Sequence, residues 1–274
     1  MEITQLRQYL DDPAAAAEWL RGWGVVDVGR AHGDLLRMAT SGLTLDLLAV
    51  ICDQLSEHLA LCPDPDMALS NLERFIGAAR SPLSVGTLFH RTDDSLPILI
   101  QLFSNSQHLS DRLTTDPESF DLLRLTEGCP LTRQALIDEL VAEIDGLEHD
   151  PDVVRALRRF KDRQTLRIAY GDIVREQPLR TVTSQISHLA DAVLEAALRA
   201  AWRKTTKQHG TPIGHDATPA TLVVLALGKL GGVELNYSSD IDLILLYGSD
   251  GQTDGRRQLI NNEFFNQLAR EFVR

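Results

Sequence analysis

Cysteine is scarce in this chain. Cys52, Cys62 and Cys129 are three in 274 residues, odd in number and without metal-like spacing. That excludes a disulfide framework and a zinc-ligand set. Aromatic residues make up only 5%, so packing must rest on Leu, Ile, Val and Ala. No apolar run approaches the roughly 20 residues needed to span a bilayer. The opening Met-Glu-Ile-Thr-Gln has no basic stretch followed by an apolar core, so it is not a secretory signal. The cytosol is the expected compartment, with no membrane partner. Positive charge is also short: 27 Lys and Arg face 39 Asp and Glu, a formal −12. Non-specific nucleic-acid binding needs clustered cations, so no nucleic-acid partner is expected.

What is present describes a folded protein, with 43% hydrophobic and 24% charged residues, enough chain for one large domain or two ordinary ones. Charge is unevenly placed. Between Pro151 and Gly210 there are 12 Lys/Arg against 6 Asp/Glu, and 15 against 33 elsewhere. This basic stretch could meet an acidic partner or a polyphosphate, but a solvated helix face beside acidic neighbours explains it more simply.

The periodicity is helical over the first 210 or so residues. Asp11-Asp-Pro supplies a cap and an early proline, and Leu45, Leu48, Ile51, Leu55 and Leu59 form a stripe with three- and four-residue steps. Further helices are expected over 67–79, 96–103, 106–113, 117–125 and 132–147. Two long amphipathic ones follow, over 153–174 and 182–207. A turn-rich connection runs from Gly210 to Pro219. Strand-like sequence appears only afterwards, in Thr221-Leu-Val-Val-Leu-Ala-Leu227 and in the run that ends at Tyr247. The expected class is α+β, a helical region of 1–150, a basic helical segment of 151–215, and a strand-bearing segment of 216–274.

The chemistry concentrates in Gly228-Lys-Leu-Gly-Gly-Val-Glu-Leu-Asn-Tyr-Ser-Ser-Asp-Ile-Asp242. If Asp240-Ile-Asp242 opens a strand, the period of two puts both carboxylates on one face, with Ile241 and Leu243 turned toward packing. Two close carboxylates repel unless a cation lies between them, and hard oxygen ligands suit magnesium carrying phosphate oxygens. Gly228, Gly231 and Gly232 permit a phosphate to approach the backbone, whose exposed amides could hold it. No Gly-Lys-Ser/Thr closes the turn, so it is not a Walker loop, and the doubled, nearby carboxylates do not fit a dinucleotide fingerprint. A surface turn followed by two solvated aspartates is the bland alternative.

Gly228-Lys, Gly232 and Ser239-Asp-Ile-Asp242 resemble the nucleotidyltransferase superfamily that includes DNA polymerase beta. The fuller run from Leu227 to Ile244 resembles the glutamate-ammonia ligase (glutamine synthetase) adenylyltransferase and adenylyl-removing enzymes. So do Ala79-Arg-Ser-Pro-Leu83, Leu102-Phe-Ser-Asn-Ser106, Asp116-Pro-Glu118, Arg158-Arg-Phe160, Leu166-Arg-Ile-Ala169, Asp254-Gly-Arg and Asn262-Glu-Phe-Phe265. The resemblance covers about residues 70–274. It implies that 216–274 is the start of a polymerase-beta-like nucleotidyltransferase core, incomplete as it stands. It implies that Asp240 and Asp242 are catalytic and bind Mg2+, and that Gly228, Lys229, Gly231, Gly232, Ser238 and Ser239 hold phosphate. ATP, ADP or inorganic phosphate are then the reaction partners, glutamine synthetase the protein substrate, and a nitrogen-signalling regulator protein a further partner.

Family members carry two related halves, one removing AMP from a glutamine synthetase tyrosine with phosphate and one attaching it from ATP. The position of the motif and its Glu-Leu-Asn-Tyr resemble the adenylyl-removing half. The superfamily's third carboxylate has no evident strand here, since Asp250 and Asp254 lie in a turn-rich run. The expectation is therefore an N-terminal piece of a longer enzyme, inactive alone. An ATP-dependent adenylyltransferase and a non-catalytic helical binding module remain alternative readings.

Overall fold

Leu48, Ile51 and Leu55 are fully buried on one face of a packed helix, and Leu59, which ends the stripe read from the sequence, is fully buried in the 3-10 turn that follows it. A computed structural model describes the whole chain, Met1 to Arg274. Its first compact unit, Met1–Gly128 with Ala169–Glu176, contains α1 (Ile3–Asp11), α2 (Pro13–Gly22), α3 (Val28–Thr40), α4 (Leu45–His58), α5 (Pro65–Ala78), α6 (Pro82–Arg91), α7 (Ser95–Asn105), α8 (Gln107–Thr115) and α9 (Ser119–Thr126).

The second unit, Cys129–Ile168 with Gln177–Arg274, contains α10 (Arg133–Ile144), most of α11 (Asp150–Ile173), α12 (Leu179–His209), β1 (Pro212–Gly214), β2 (Leu222–Ala226), the single turn α13 (Gly228–Gly231), β3 (Leu243–Tyr247), β4 (Gly251–Thr253) and α14 (Asn261–Val273). The fold is α+β, and no helix is long and apolar enough to cross a membrane.

In the first unit, caps define where short helices begin. Asp12 Oδ1 accepts from the Ala14 amide at 2.9 Å, with Pro13 in the first turn. Asp64 Oδ1 does the same for Met67 at 2.9 Å ahead of Pro65. Each cap is worth about 1 kcal/mol. The second one corrects the expected start at Met67: Pro65 does not interrupt a helix but opens one, because its missing amide is not needed in a first turn. The few aromatics are used centrally. Phe75 meets Phe103 at 5.7 Å and Phe120 nearly edge-on at 6.1 Å between ring centroids, and all three are buried.

In the second unit, α10 lies along α12. Leu136, Leu140 and Ile144 pack with Phe160, Ala192 and Ala196, where the small alanines let the helices approach. Helix α10 ends at Ile144 rather than 147, because Gly146 turns left-handed (φ 90°). The basic face of α11 is largely compensated: Arg159 reaches Glu143 at 3.3 Å and Arg163 reaches Glu139 at 2.8 Å. Arg167 is different. It is buried and donates to Gln164 Oε1, the Cys129 carbonyl and Gln185 Oε1; burial lowers its pKa to about 10.

Two small antiparallel sheets complete this unit. In one, β2 pairs with β3 from Leu222↔Tyr247 to Ala226↔Leu243. In the other, β1 pairs with β4 from Pro212↔Thr253 to Gly214↔Gly251. The second sheet was not visible in the sequence, which reads as turns at both 210–219 and 248–255. Its strands are three residues each, held by the Thr211 amide donating to Asp254 Oδ1 at 2.7 Å and by Asn261 Nδ2 donating to the Ile213 carbonyl at 3.0 Å. Around them Trp202, Phe264, Phe265 and Tyr247 make a compact aromatic cluster, with Tyr247 stacked on Phe265 at 5.0 Å.

Candidate active site

The glycine turn is a one-turn helix, α13, wedged against the end of β2. Gly231 must be glycine for steric reasons: a Cβ there would lie 2.5 Å from the Ala226 carbonyl oxygen. Gly228 has φ +57°, a left-handed conformation that side chains disfavour. Gly232 is neither crowded nor left-handed, and a Cβ there would meet its neighbours at ordinary van der Waals distance, 3.7 Å or more.

The turn ends in an unusual way. Val233 N donates to the Leu230 carbonyl at 3.0 Å and Glu234 N to the Lys229 carbonyl at 2.8 Å. This is the paired bonding of a Schellman cap, whose left-handed position normally falls to glycine. Here it falls to Val233, at φ 57°. A β-branched residue in that region is strained. Two residues on, the buried Leu235 amide donates to Ser187 Oγ on α12 at 3.0 Å.

The aspartates lie one step outside the strand they were expected to open. Regular β3 begins at Leu243, and Asp242 takes only the next ladder bond, accepting from the Leu227 amide at 2.9 Å. Asp240 lies beyond the ladder. Ile241, expected to pack, is 40% exposed. The register still gives Asp242 the parity of Ile244 and Leu246, which are exposed. Both carboxylates are exposed, and neither receives a side-chain hydrogen bond or an ion pair. The Lys229 ammonium is likewise exposed and without an acidic partner. Ser239 Oγ donates to Asn236 Oδ1 at 2.5 Å, which braces the segment before the pair; Ser238 is exposed.

Two further carboxylates lie nearby in sequence but are engaged elsewhere. Asp250 accepts from the Tyr247 hydroxyl at 2.9 Å, and Asp254 from the Thr211 amide. No group of three or more His, Cys, Asp or Glu side chains is placed to hold a metal. The donor set of Asp240 and Asp242 is thus two hard oxygens open to solvent. That fits magnesium, which keeps several waters and takes the rest of its shell from one or two carboxylates and substrate phosphates. It does not fit a closed structural metal site. The structural partner that sequence reasoning missed is Ser187, because its link to Leu235 spans 48 residues and no local pattern announces it.

A glycine turn closed against a strand end and an exposed carboxylate pair thus lie within 15 residues of one another. The comparisons are more specific. The family described as glutamate-ammonia ligase adenylyltransferase matches residues 96–274. Among curated relatives, the bifunctional glutamine synthetase adenylyltransferase/adenylyl-removing enzyme of Pseudomonas syringae is 30% identical over 283 residues, covering 96% of this chain and 28% of that protein. The enzyme of the same name from Pseudomonas aeruginosa is 42% identical over 141 residues, 51% of this chain and 14% of the relative. That of Shewanella frigidimarina is 33% identical over 179 residues, 65% and 18% respectively. The chain belongs to the glutamate-ammonia ligase adenylyltransferase family, and it spans less than a third of the length of these relatives.

Proposed function

We propose that the second unit carries an adenylyl-transfer site acting on glutamine synthetase, with the core of 216–274 built on a polymerase-beta-like nucleotidyltransferase plan. The helical region of 1–150 and the basic segment of 151–215 precede it in the chain. The observation that supports this most is the conjunction, inside the family match, of a glycine turn pressed against a strand end and an exposed, unpaired Asp240/Asp242 pair. The relatives' names supply the substrate and both directions of the reaction.

In this reading the amides that open the turn, at Gly228 and Lys229, and the Lys229 ammonium hold phosphate oxygens, Gly231 and Gly232 shape the turn, and Ser238 and Ser239 offer hydroxyl donors. Asp240 and Asp242 would hold Mg2+, which supplies neutralisation of phosphate charge. We place the removal reaction first. A phosphate oxygen forms a bond to the phosphorus of the adenylyl-tyrosine, the bond to the tyrosine oxygen breaks, and the phenol takes up a proton as ADP leaves. No protein nucleophile is needed. The cytoplasm is the proposed setting, and a nitrogen-signalling protein the proposed regulator. ATP-dependent attachment is the second reading, which the two-activity names of the relatives favour equally.

The test is calorimetric binding of ADP to the chain with and without Mg2+, then with Asp240→Asn/Asp242→Asn. Binding that requires Mg2+ and is lost in the double variant is expected. Metal-independent binding that survives both substitutions would sink the reading. Incubation with adenylylated glutamine synthetase, phosphate and Mg2+ separates the directions by whether ADP is released. With two carboxylates at the site and Asp250 and Asp254 engaged elsewhere, the expected release from this chain alone is slow or nil.

A further inference from the structure

The segment between the glycine turn and the aspartate pair has an anchor that is not local. Leu235 is 4% exposed, and its amide is satisfied by the hydroxyl of Ser187, itself 1% exposed, at 3.0 Å. Ser187 Oγ in turn donates to the Thr183 carbonyl at 2.9 Å, so its own hydrogen is committed and its lone pair faces Leu235. One hydroxyl on α12 thereby fixes the height of the turn above the helix. Two residues upstream, Val233 occupies the left-handed region, a conformation that persists only where the surroundings enforce it. The backbone bonds of the cap hold Val233 from one side and the Ser187 anchor holds it from the other. Gly232 precedes it and Asn236, which braces Ser239, follows.

We infer that Ser187 is a positioning residue for the phosphate turn, one that keeps Val233 in its strained conformation and so sets the spacing between the glycine turn and Asp240/Asp242. This rests on the site assignment proposed above. Ser187 touches no substrate; it acts through Leu235. Glycine at 233 would adopt the same φ without strain, and it should therefore make the anchor dispensable.

The test uses the full chain and compares Ser187→Ala, Val233→Gly and the double variant by amide hydrogen exchange and by Mg2+-dependent ADP binding. Ser187→Ala leaves the Leu235 amide buried without an acceptor. Exchange over residues 230–239 should rise about tenfold or more, with α10 and α14 unchanged. ADP affinity should fall by a similar factor. Val233→Gly in the Ser187→Ala background should recover most of the affinity, whereas a serine that does not act through Val233 predicts no recovery. If Ser187→Ala impairs folding, Ser187→Cys keeps nearly the same volume with a weaker acceptor and carries the same comparison. Unchanged exchange over 230–239 in the serine variants overturns the inference, as does a double variant no better than Ser187→Ala. If the unmodified chain binds no ADP, the site assignment falls, and the exchange comparison alone still decides whether Ser187 holds the turn.

Discussion

Arg167 and Gln185, eighteen residues apart on successive helices, meet at 2.9 Å inside the second unit, guanidinium to side-chain carbonyl. The same Gln185 oxygen accepts from the Leu131 amide and its nitrogen donates to the Leu131 carbonyl, each at 2.8 Å. A glutamine thus pairs with the backbone as a strand would, while capping a buried cation that has no carboxylate.

The two residues should therefore differ sharply on replacement. Gln185→Leu strands the Leu131 amide and carbonyl and removes one acceptor from a buried guanidinium, at a cost of about 3–5 kcal/mol. Arg167→Met removes the desolvated charge itself while keeping much of the side-chain volume, and it should cost about 1 kcal/mol or nothing. Urea unfolding of both variants checks the order; equal losses would contradict it.

The glycines of the turn separate in the same way. Gly231→Ala drives a Cβ to within 2.5 Å of the Ala226 carbonyl and should destabilise the turn by about 1–3 kcal/mol. Gly232→Ala meets nothing closer than 3.7 Å at ordinary φ and should change stability by about 0.5 kcal/mol or less. Protease resistance of the segment 228–242, read by mass spectrometry of early cleavage products, distinguishes them.

Asp34 gives a pH signature to the first unit. Burial pushes its carboxyl above the ordinary range, with the Arg37 guanidinium opposing that shift and Glu73 adding to it. The folded state then binds the proton more tightly than the unfolded one. Stability from this group is fully present below the unfolded value and is lost as pH rises through the raised folded value. Asp34→Asn should remove that slope, so the variant gains on the parent protein between acid and neutral pH. A difference in melting temperature that stays constant across this range would show that Asp34 carries no such linkage.

The helical part was largely legible because its signals are local. Asp12 before Pro13, and Leu48, Ile51 and Leu55 of α4, each declare themselves within about two turns. The candidate site was legible as a motif for the same reason: glycines, serines and aspartates sit within 15 residues of one another. What escaped depends on distance. The pairing of β1 with β4 joins residues about 40 positions apart through three-residue strands, too short to show alternation. The exact opening of β3 also escaped, because hydrophobicity continues through Ile241 while the ladder does not. The anchoring of Leu235 by Ser187 is invisible in one dimension, since a serine within a long helix has many ordinary uses.

Helix α12, 31 residues and so about 46 Å long, carries Gln185 and Ser187 near its beginning and Trp202 and Lys204 near its end. Gln185 grips Leu131, Ser187 holds the turn, Trp202 enters the aromatic cluster, and Lys204 bridges Asp150 and Glu271 at 2.6 and 2.5 Å. Adding or deleting one residue between Ser187 and Trp202 would rotate one set of attachments by about 100° relative to the other. The spacing along this helix is therefore under a stricter constraint than its side chains: its outward face can vary freely in composition, but its length between those two positions cannot.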